Sequence, residues 1–204
     1  MGSDHYFTAS PASPENLRRI RVTLAERELE VTTAGGVFSP EHLDTGTAVL
    51  LGNTPPPPPH GNILDLGCGW GPISIDIALR SPDATLWAVD VNERALDLVR
   101  RNASALELEN IRAVHPDDVP ADVLFRSIRS NPPIRVGKNV LHAMLEHWMP
   151  RIEPGGDAWL VVARNLGSDS LQRWLAATMP TFTVQRAATS RGFRVLLAKQ
   201  HPAN

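Results

Sequence analysis

One cysteine, Cys68, stands among the 204 residues. A single thiol cannot build a disulfide framework, so a reducing compartment is expected. No apolar run approaches the length of a membrane span, so no membrane partner is expected. The opening Met1-Gly2-Ser3-Asp4-His5 has no basic segment followed by an apolar one, and the expected location is the cytoplasm. Positive charge is not in excess: 20 Lys and Arg face 22 Asp and Glu, a formal net charge of −2. The chain therefore lacks the global signature of a nucleic-acid binder. A local patch stays open, because Arg126, Arg129, Arg135 and Lys138 surround residues 131–134 with no acidic residue between them. No cysteine pair exists, and His142 and His147 are poorly spaced for shared ligation on one helix, so no metal site is expected. No serine lies in a Gly-x-Ser-x-Gly elbow.

What remains is the composition of an ordinary globular domain, 42% hydrophobic and 21% charged, long enough to bury a core without staples. From Gly61 onward, short apolar runs alternate with amphipathic stretches. Strands are expected at Ile63–Leu66, Ala84–Val89, Ile111–Val114, Leu124–Ile128 and Trp159–Ala163. Helices are expected over Ile73–Leu79 with Pro72 in the first turn, after Asn92 as cap, and from Val140 to Ile152 with Pro154-Gly155-Gly156 as the stop. A further helix follows Ser168 as cap. Two last strands, Phe182–Arg186 and Phe193–Ala198, are close enough for an antiparallel hairpin around Ser190-Arg191-Gly192. Alternation of this kind predicts an α/β fold, doubly wound around a mostly parallel sheet with ligands at the carboxyl ends of the strands. Residues 1–60 read as an N-terminal extension and 61–204 as the main domain. In the extension, Leu17–Leu24 and Leu29–Thr33 predict a small hairpin, residues 35–40 a loop, His42–Leu51 a helix, and Pro55–Pro59 a stiff linker.

Two motifs carry chemistry, and both directly follow strands. The first is the loop Asp65-Leu66-Gly67-Cys68-Gly69-Trp70-Gly71, one residue tighter than the dinucleotide fingerprint. Asp90 ends the next strand, where a carboxylate can accept both ribose hydroxyls of a nucleoside. This pairing fits a nicotinamide cofactor or S-adenosylmethionine. Asp117, after the third strand, is placed to accept a hydrogen bond from an adenine amino group. Asp118 is its neighbour, and sequence does not choose between them. Cys68 reads as a small residue of the loop rather than a nucleophile.

The second motif, Asn131-Pro132-Pro133-Ile134, decides the class. An aromatic amine is a poor nucleophile because its lone pair is delocalised into the ring. The Asn131 side-chain oxygen and the Pro132 carbonyl can hold its two hydrogens, and the prolines fix the backbone that presents them. Direct transfer of a methyl group to such a nitrogen then relies on orientation alone.

The chain resembles class I S-adenosylmethionine-dependent methyltransferases, and among them the methyltransferase domain of bacterial ribosomal RNA guanine-N2 enzymes of the small-subunit methyltransferase C group. The resemblance rests on His5-Tyr6-Phe7, Gly36-Val37-Phe38-Ser39, Leu43-Asp44-Thr45-Gly46, Leu64 to Gly69, Val89-Asp90-Val91-Asn92, Asn131 to Ile134 with Gly137-Lys138, and Asn165-Leu166-Gly167. It implies a Rossmann-like seven-stranded sheet with the last strand antiparallel, and S-adenosylmethionine as cofactor. It implies that Asp65, Gly67, Gly69, Asp90 and Asp117 line the cofactor site, together with Cys68, Gly71, Val91 and Asp118. Asn131 would reach both cofactor and substrate, and the Phe38 loop would close over the cofactor. Relatives that methylate adenine N6 or glutamine N5 usually carry an aromatic after the second proline; Ile134 matches the guanine-N2 group. The implied partner is RNA or a ribosomal subunit, and the expected state a monomer. Adenine, a protein glutamine, a small molecule, or a non-catalytic cofactor- or RNA-binding module are the alternatives. One departure is Arg126, where the family usually has Asp.

Overall fold

The computed structural model describes residues 16–203, so His5-Tyr6-Phe7 lie outside the described residues. Two strands, β1 (Leu17–Leu24) and β2 (Arg27–Ala34), form an antiparallel hairpin. Then follow α1 (Thr45–Asn53), β3 (Gly61–Leu66), α2 (Pro72–Arg80), β4 (Ala84–Val89), α3 (Glu93–Ala105), β5 (Ile111–Val114) and β6 (Phe125–Ser130). The chain closes with α4 (Lys138–Trp148), β7 (Ile152–Ala163), α5 (Ser168–Thr178), β8 (Phe182–Ser190) and β9 (Phe193–Gln200). The main sheet has seven strands in the order β5-β4-β3-β6-β7-β9-β8. All neighbours are parallel until β9, which runs antiparallel to both β7 and β8. This is the Rossmann-like arrangement expected from the sequence. The order reverses between β3 and β6, the crevice where α/β sheets bind ligands.

Period-two alternation decides which residues face which layer. Leu64, Leu66, Trp87, Val89, Leu160 and Val162 pack with α4 and α5 on one face. Ile63, Leu86, Trp159 and Val161 pack with α1 and α2 on the other. The N-terminal hairpin joins this second side, where Val22, Leu24 and Val31 meet Trp70, Ile75 and Leu98. Two polar side chains dock it there. Asn102 of α3 accepts from the Thr32 amide at 2.7 Å and donates to the Thr32 carbonyl at 3.0 Å, acting as a third strand for β2. Asp76 of α2 accepts from Ala25 N at 2.6 Å in the hairpin turn.

Several sequence expectations need correction. The helix from Val140 ends at Trp148, four residues before the expected Ile152; a 3-10 turn over Met149–Arg151 intervenes and Ile152 already opens β7. Pro154, Gly155 and Gly156 are therefore not a helix stop. They lie in β7, where its pairing with β6 shifts register between Phe125 and Ser127. Gly167, not Ser168, caps α5, and Ser168 is its first helical residue. Helix α1 begins at Thr45 rather than His42, with Asp44 as its cap.

Two of the four residues of the expected basic patch, Arg126 and Arg129, do not face residues 131–134. Arg129 points into the sheet interface, buried, donating to Thr54 Oγ1 at 3.0 Å and to the Pro55 carbonyl at 2.7 Å. Arg126 lies at the far end of β6, paired with Glu153 and hydrogen-bonded with His60. That placement also keeps Arg126 away from the strand end that carries Asn131.

Asn102→Leu keeps the buried volume of α3 but leaves the Thr32 amide and carbonyl without partners. It is expected to cost about 2–4 kcal/mol of stability, read from urea unfolding.

Candidate functional site

Both motifs meet at the carboxyl edge of the two central strands. The glycine loop leaves β3 and is pinned to β4: the amides of Gly67 and Cys68 donate to the Val89 carbonyl at 2.8 and 3.1 Å. Gly67 has φ 77° and a Cβ there would project into open space, so a side chain at this position would enter the pocket from a strained backbone. Gly71 has φ 94° and a Cβ would meet Val99 at 3.0 Å; it lets α2 start against α3. Asp90 closes the loop from the other side. Its carboxylate accepts from Gly69 N at 3.0 Å and from Asn92 N at 2.9 Å. Each oxygen retains a lone pair toward the pocket that Asp90 lines. Burial raises the Asp90 carboxyl above its ordinary range, and the amides of Asn92, Gly69 and Val91 oppose that shift.

Asp65 lies beneath the loop, fully buried on the α2 face of β3. Ser74 donates to its Oδ2 at 2.6 Å, whereas Oδ1 has no partner. Burial pushes this carboxyl up to about 7.

Asn131 follows β6 and is held from α1. Its Nδ2 donates to Asp44 Oδ2 at 2.8 Å and to Thr47 Oγ1 at 3.0 Å. A carboxylate only accepts, so Asp44 fixes the amide's flip and both amide hydrogens are consumed. Oδ1 is thereby left as the free acceptor of a residue that lines the pocket. Asp44 Oδ2 also accepts from Thr47 N at 3.0 Å, capping α1. The approach is tight enough that a Cβ on Gly46 would sit 2.9 Å from Asp44 Oδ2. Pro132 and Pro133 make a sharp turn in which the Pro132 carbonyl accepts from Ile134 N at 2.9 Å, keeping one lone pair free.

These groups share one cavity of about 420 Å3. Phe38, Gly67, Gly69, Asp90 and Asn131 to Ile134 all line it. Cys68 lines a small adjoining cavity with Phe38, Trp70 and Asn131. Burial holds its thiol well above the usual thiol range, which leaves it a packing residue. Phe38 is 38% exposed on a loop strapped down by Trp70 Nε1 to the Ser39 carbonyl, Asn92 Nδ2 to Gly36 and Arg94 to Gly35. Asp65 and Gly71 support the loop from behind. Asp117 and Asp118 occupy a 3-10 turn after β5 and are not among the lining residues; the Asp117 side chain is 91% exposed and faces His115. Val91 is exposed beside Asp90 and is also outside the lining.

The sequence did not single out Asp44 and Thr47 as site residues, nor Val161, Asn165, Leu166 and Phe193. Asp44 and Asn165 had a signal, since both stand in segments that carry the family resemblance. Phe193 had none: it reaches the pocket only because β9 runs antiparallel and starts at the edge where its neighbours end.

A model of the methyltransferase small domain matches residues 28–197. The uncharacterized protein YbxB of Bacillus subtilis is 32% identical over 201 residues, 97% of this chain and 99% of that protein. Ribosomal RNA small subunit methyltransferase C of Pseudomonas aeruginosa is 34% identical over 161 residues, 74% of this chain and 48% of its own length. The chain thus spans nearly all of the Bacillus protein and about half of the ribosomal RNA methyltransferase. Among solved structures, the 16S rRNA N2 methyltransferase RsmC of T. thermophilus, in complex with AdoMet and guanosine, superposes with a TM-score of 0.80 at 23% identity, covering 94% of this chain and 52% of that one. A precorrin-6y methyltransferase of Geobacter metallireducens reaches 0.59 at 15% identity, covering 82% of this chain and 93% of that one. The fold is therefore shared by enzymes with unlike substrates.

Asp65 gives the site a pH signature. Its folded value, about 7, lies above the ordinary 3.8, so the folded protein binds the extra proton. Stability from this group is then present below pH 4 and is lost as pH rises toward 7. Compared with Asp65→Asn, the protein should lose a few kcal/mol of relative stability between pH 4 and pH 8. Denaturant unfolding of both across that range checks it; parallel curves would contradict it.

Proposed function

The chain belongs to the methyltransferase small-domain family, and from that premise we propose that it is an S-adenosylmethionine-dependent N-methyltransferase acting on the exocyclic N2 amino group of a guanine in RNA. Ribosomal RNA is the substrate class, and the cytoplasm the setting. The observation that carries this reading is the Asn131 amide, locked by Asp44 and Thr47 so that its oxygen is the free end. The names of the ribosomal RNA relatives support RNA as the substrate, and the N2 activity and bound guanosine of the structurally similar enzyme favour guanine over other amines. Ile134, in place of the aromatic common in adenine and glutamine enzymes, agrees with that choice.

The residues fit the cofactor. Asp90 offers two acceptors for vicinal ribose hydroxyls. Gly67 and Gly69 leave the backbone open to close approach, and the cavity is of nucleoside-ligand size. The cofactor, when bound, supplies an electrophilic methyl group on a sulfonium.

The chain's own task is to hold and aim the amine. Asn131 Oδ1 and the remaining lone pair of the Pro132 carbonyl take its two hydrogens, which turns the nitrogen lone pair out of conjugation with the ring. The hydrogen bond from Asn131 to Asp44 resists rotation of the amide, so the acceptor is in place before the substrate arrives. Phe38 and Ile134 exclude water around the transfer path.

Asp44→Ser keeps a helix cap but is too short to reach Asn131; Asp44→Asn keeps both contacts. The serine variant should lose about 10–100-fold in kcat with cofactor affinity unchanged, and the asparagine variant should recover most of it. Equal rates in all three would remove Asp44 from the account. Asn131→Ala should lose about 100–1,000-fold. The function itself is tested by transfer of a labelled methyl group from S-adenosylmethionine to small-subunit ribosomal RNA and to intact subunits from a strain lacking the gene. N2-methylguanosine in the digest is the expected product. Label in N6-methyladenosine or in protein would contradict the guanine assignment.

A further inference from the structure

A second groove, of about 620 Å3, opens beside the pocket and shares Ala163, Asn165 and Phe193 with it. A chain-like ligand with one unit in the pocket would continue along this groove. Its walls carry Arg164, Arg191 and Arg194, with Asp169 as the one acidic residue of the lining. Asp169 is already engaged: its Oδ1 pairs with both Arg194 and Arg186. Among the described residues, the side chains of Arg164 and Arg191 have no ion-pair partner. Three arginines against one aspartate leave the lining with an excess of two positive charges, on a chain whose net charge is −2.

Arg191 is there against the preference of its backbone. It has φ 47° and Gly192 has φ 81° in the turn between β8 and β9. Two successive positive φ values are the pattern of a type I′ hairpin turn, whose favoured pair is Asn-Gly. A long side chain is disfavoured at the first position, so turn formation does not account for an arginine.

We propose that this groove binds the phosphate backbone of the RNA strand flanking the methylated guanine. The inference rests on the RNA reading given above. Guanidinium groups pair bidentately with phosphate. The exposed apolar side chains of Leu166 and Phe38 on the pocket lining give unstacked bases a surface to pack on. An acidic protein could meet the same charges, but it would gain nothing from a groove that runs into a nucleoside-sized pocket.

The test is the double variant Arg164→Gln/Arg191→Asn in the full chain. Asparagine suits the turn, so thermal unfolding should be unchanged or improved and a binding defect cannot be assigned to misfolding. Filter binding to deproteinised small-subunit ribosomal RNA across a potassium chloride series reads the charge contacts. The variant should bind about tenfold more weakly near 0.1 M salt, and its log-affinity against log-salt slope should fall by roughly 1.4, about 0.7 for each of two lost phosphate contacts on a single strand. S-adenosylmethionine affinity by calorimetry should not change. An unaltered slope and affinity overturn the groove. If the wild-type protein methylates this RNA while the variant keeps the same slope, the groove fails and the enzyme reading stands. If the slope depends on the arginines but no methyl group reaches the RNA, the groove stands and the substrate reading fails.

Discussion

Asp44 Oδ2 accepts two donors at once, the Thr47 amide at 3.0 Å and Asn131 Nδ2 at 2.8 Å. The first starts α1; the second ties that start to the end of β6. Two residues earlier, within β6, Arg129 holds the other end of α1 through Thr54 and Pro55. The helix is therefore clasped at both ends by side chains of β6 and the turn directly after it. Its buried Val49 and Leu50 complete a core with Ile63, Ile73 and Trp159. The loop that carries Phe38 runs between this helix and the docked hairpin, so its position over the glycine loop follows from these anchors.

The same constraint separates the two jobs of the pocket edge. On the β3–β4 side, backbone amides and Asp90 build an acceptor site whose charges are kept in check by burial. On the β6 side, a neutral amide is aimed by a neighbouring carboxylate that does not itself need to touch a substrate.

Much of this was legible in the chain, and the failures have physical causes. Ala84–Val89 and Ile111–Val114 were read to the residue, because a short β-rich run between turn residues admits one reading. The end of α4 was not: Met149 and Ile152 continue the apolar spacing of the helix although Ile152 already belongs to a strand, and side-chain pattern alone does not distinguish the two. The arginines around residues 131–134 looked like one patch in sequence, but strand geometry sends Arg129 inward and leaves Arg126 at the opposite end. Asp44 and Asn131 are 87 positions apart. Nothing local to either predicts their contact, and Phe193 reaches the pocket only through the reversed direction of β9.

We propose that Asn131 meets the amine with an oxygen whose orientation Asp44 sets. A crystal structure of the protein with S-adenosylhomocysteine and guanosine measures this directly. Asn131 Oδ1 is expected at about 2.7–3.2 Å from the guanine N2 nitrogen, with Nδ2 still on Asp44. A guanosine bound with its amino group away from Asn131, or an amide turned off Asp44 to meet it, would contradict the claim.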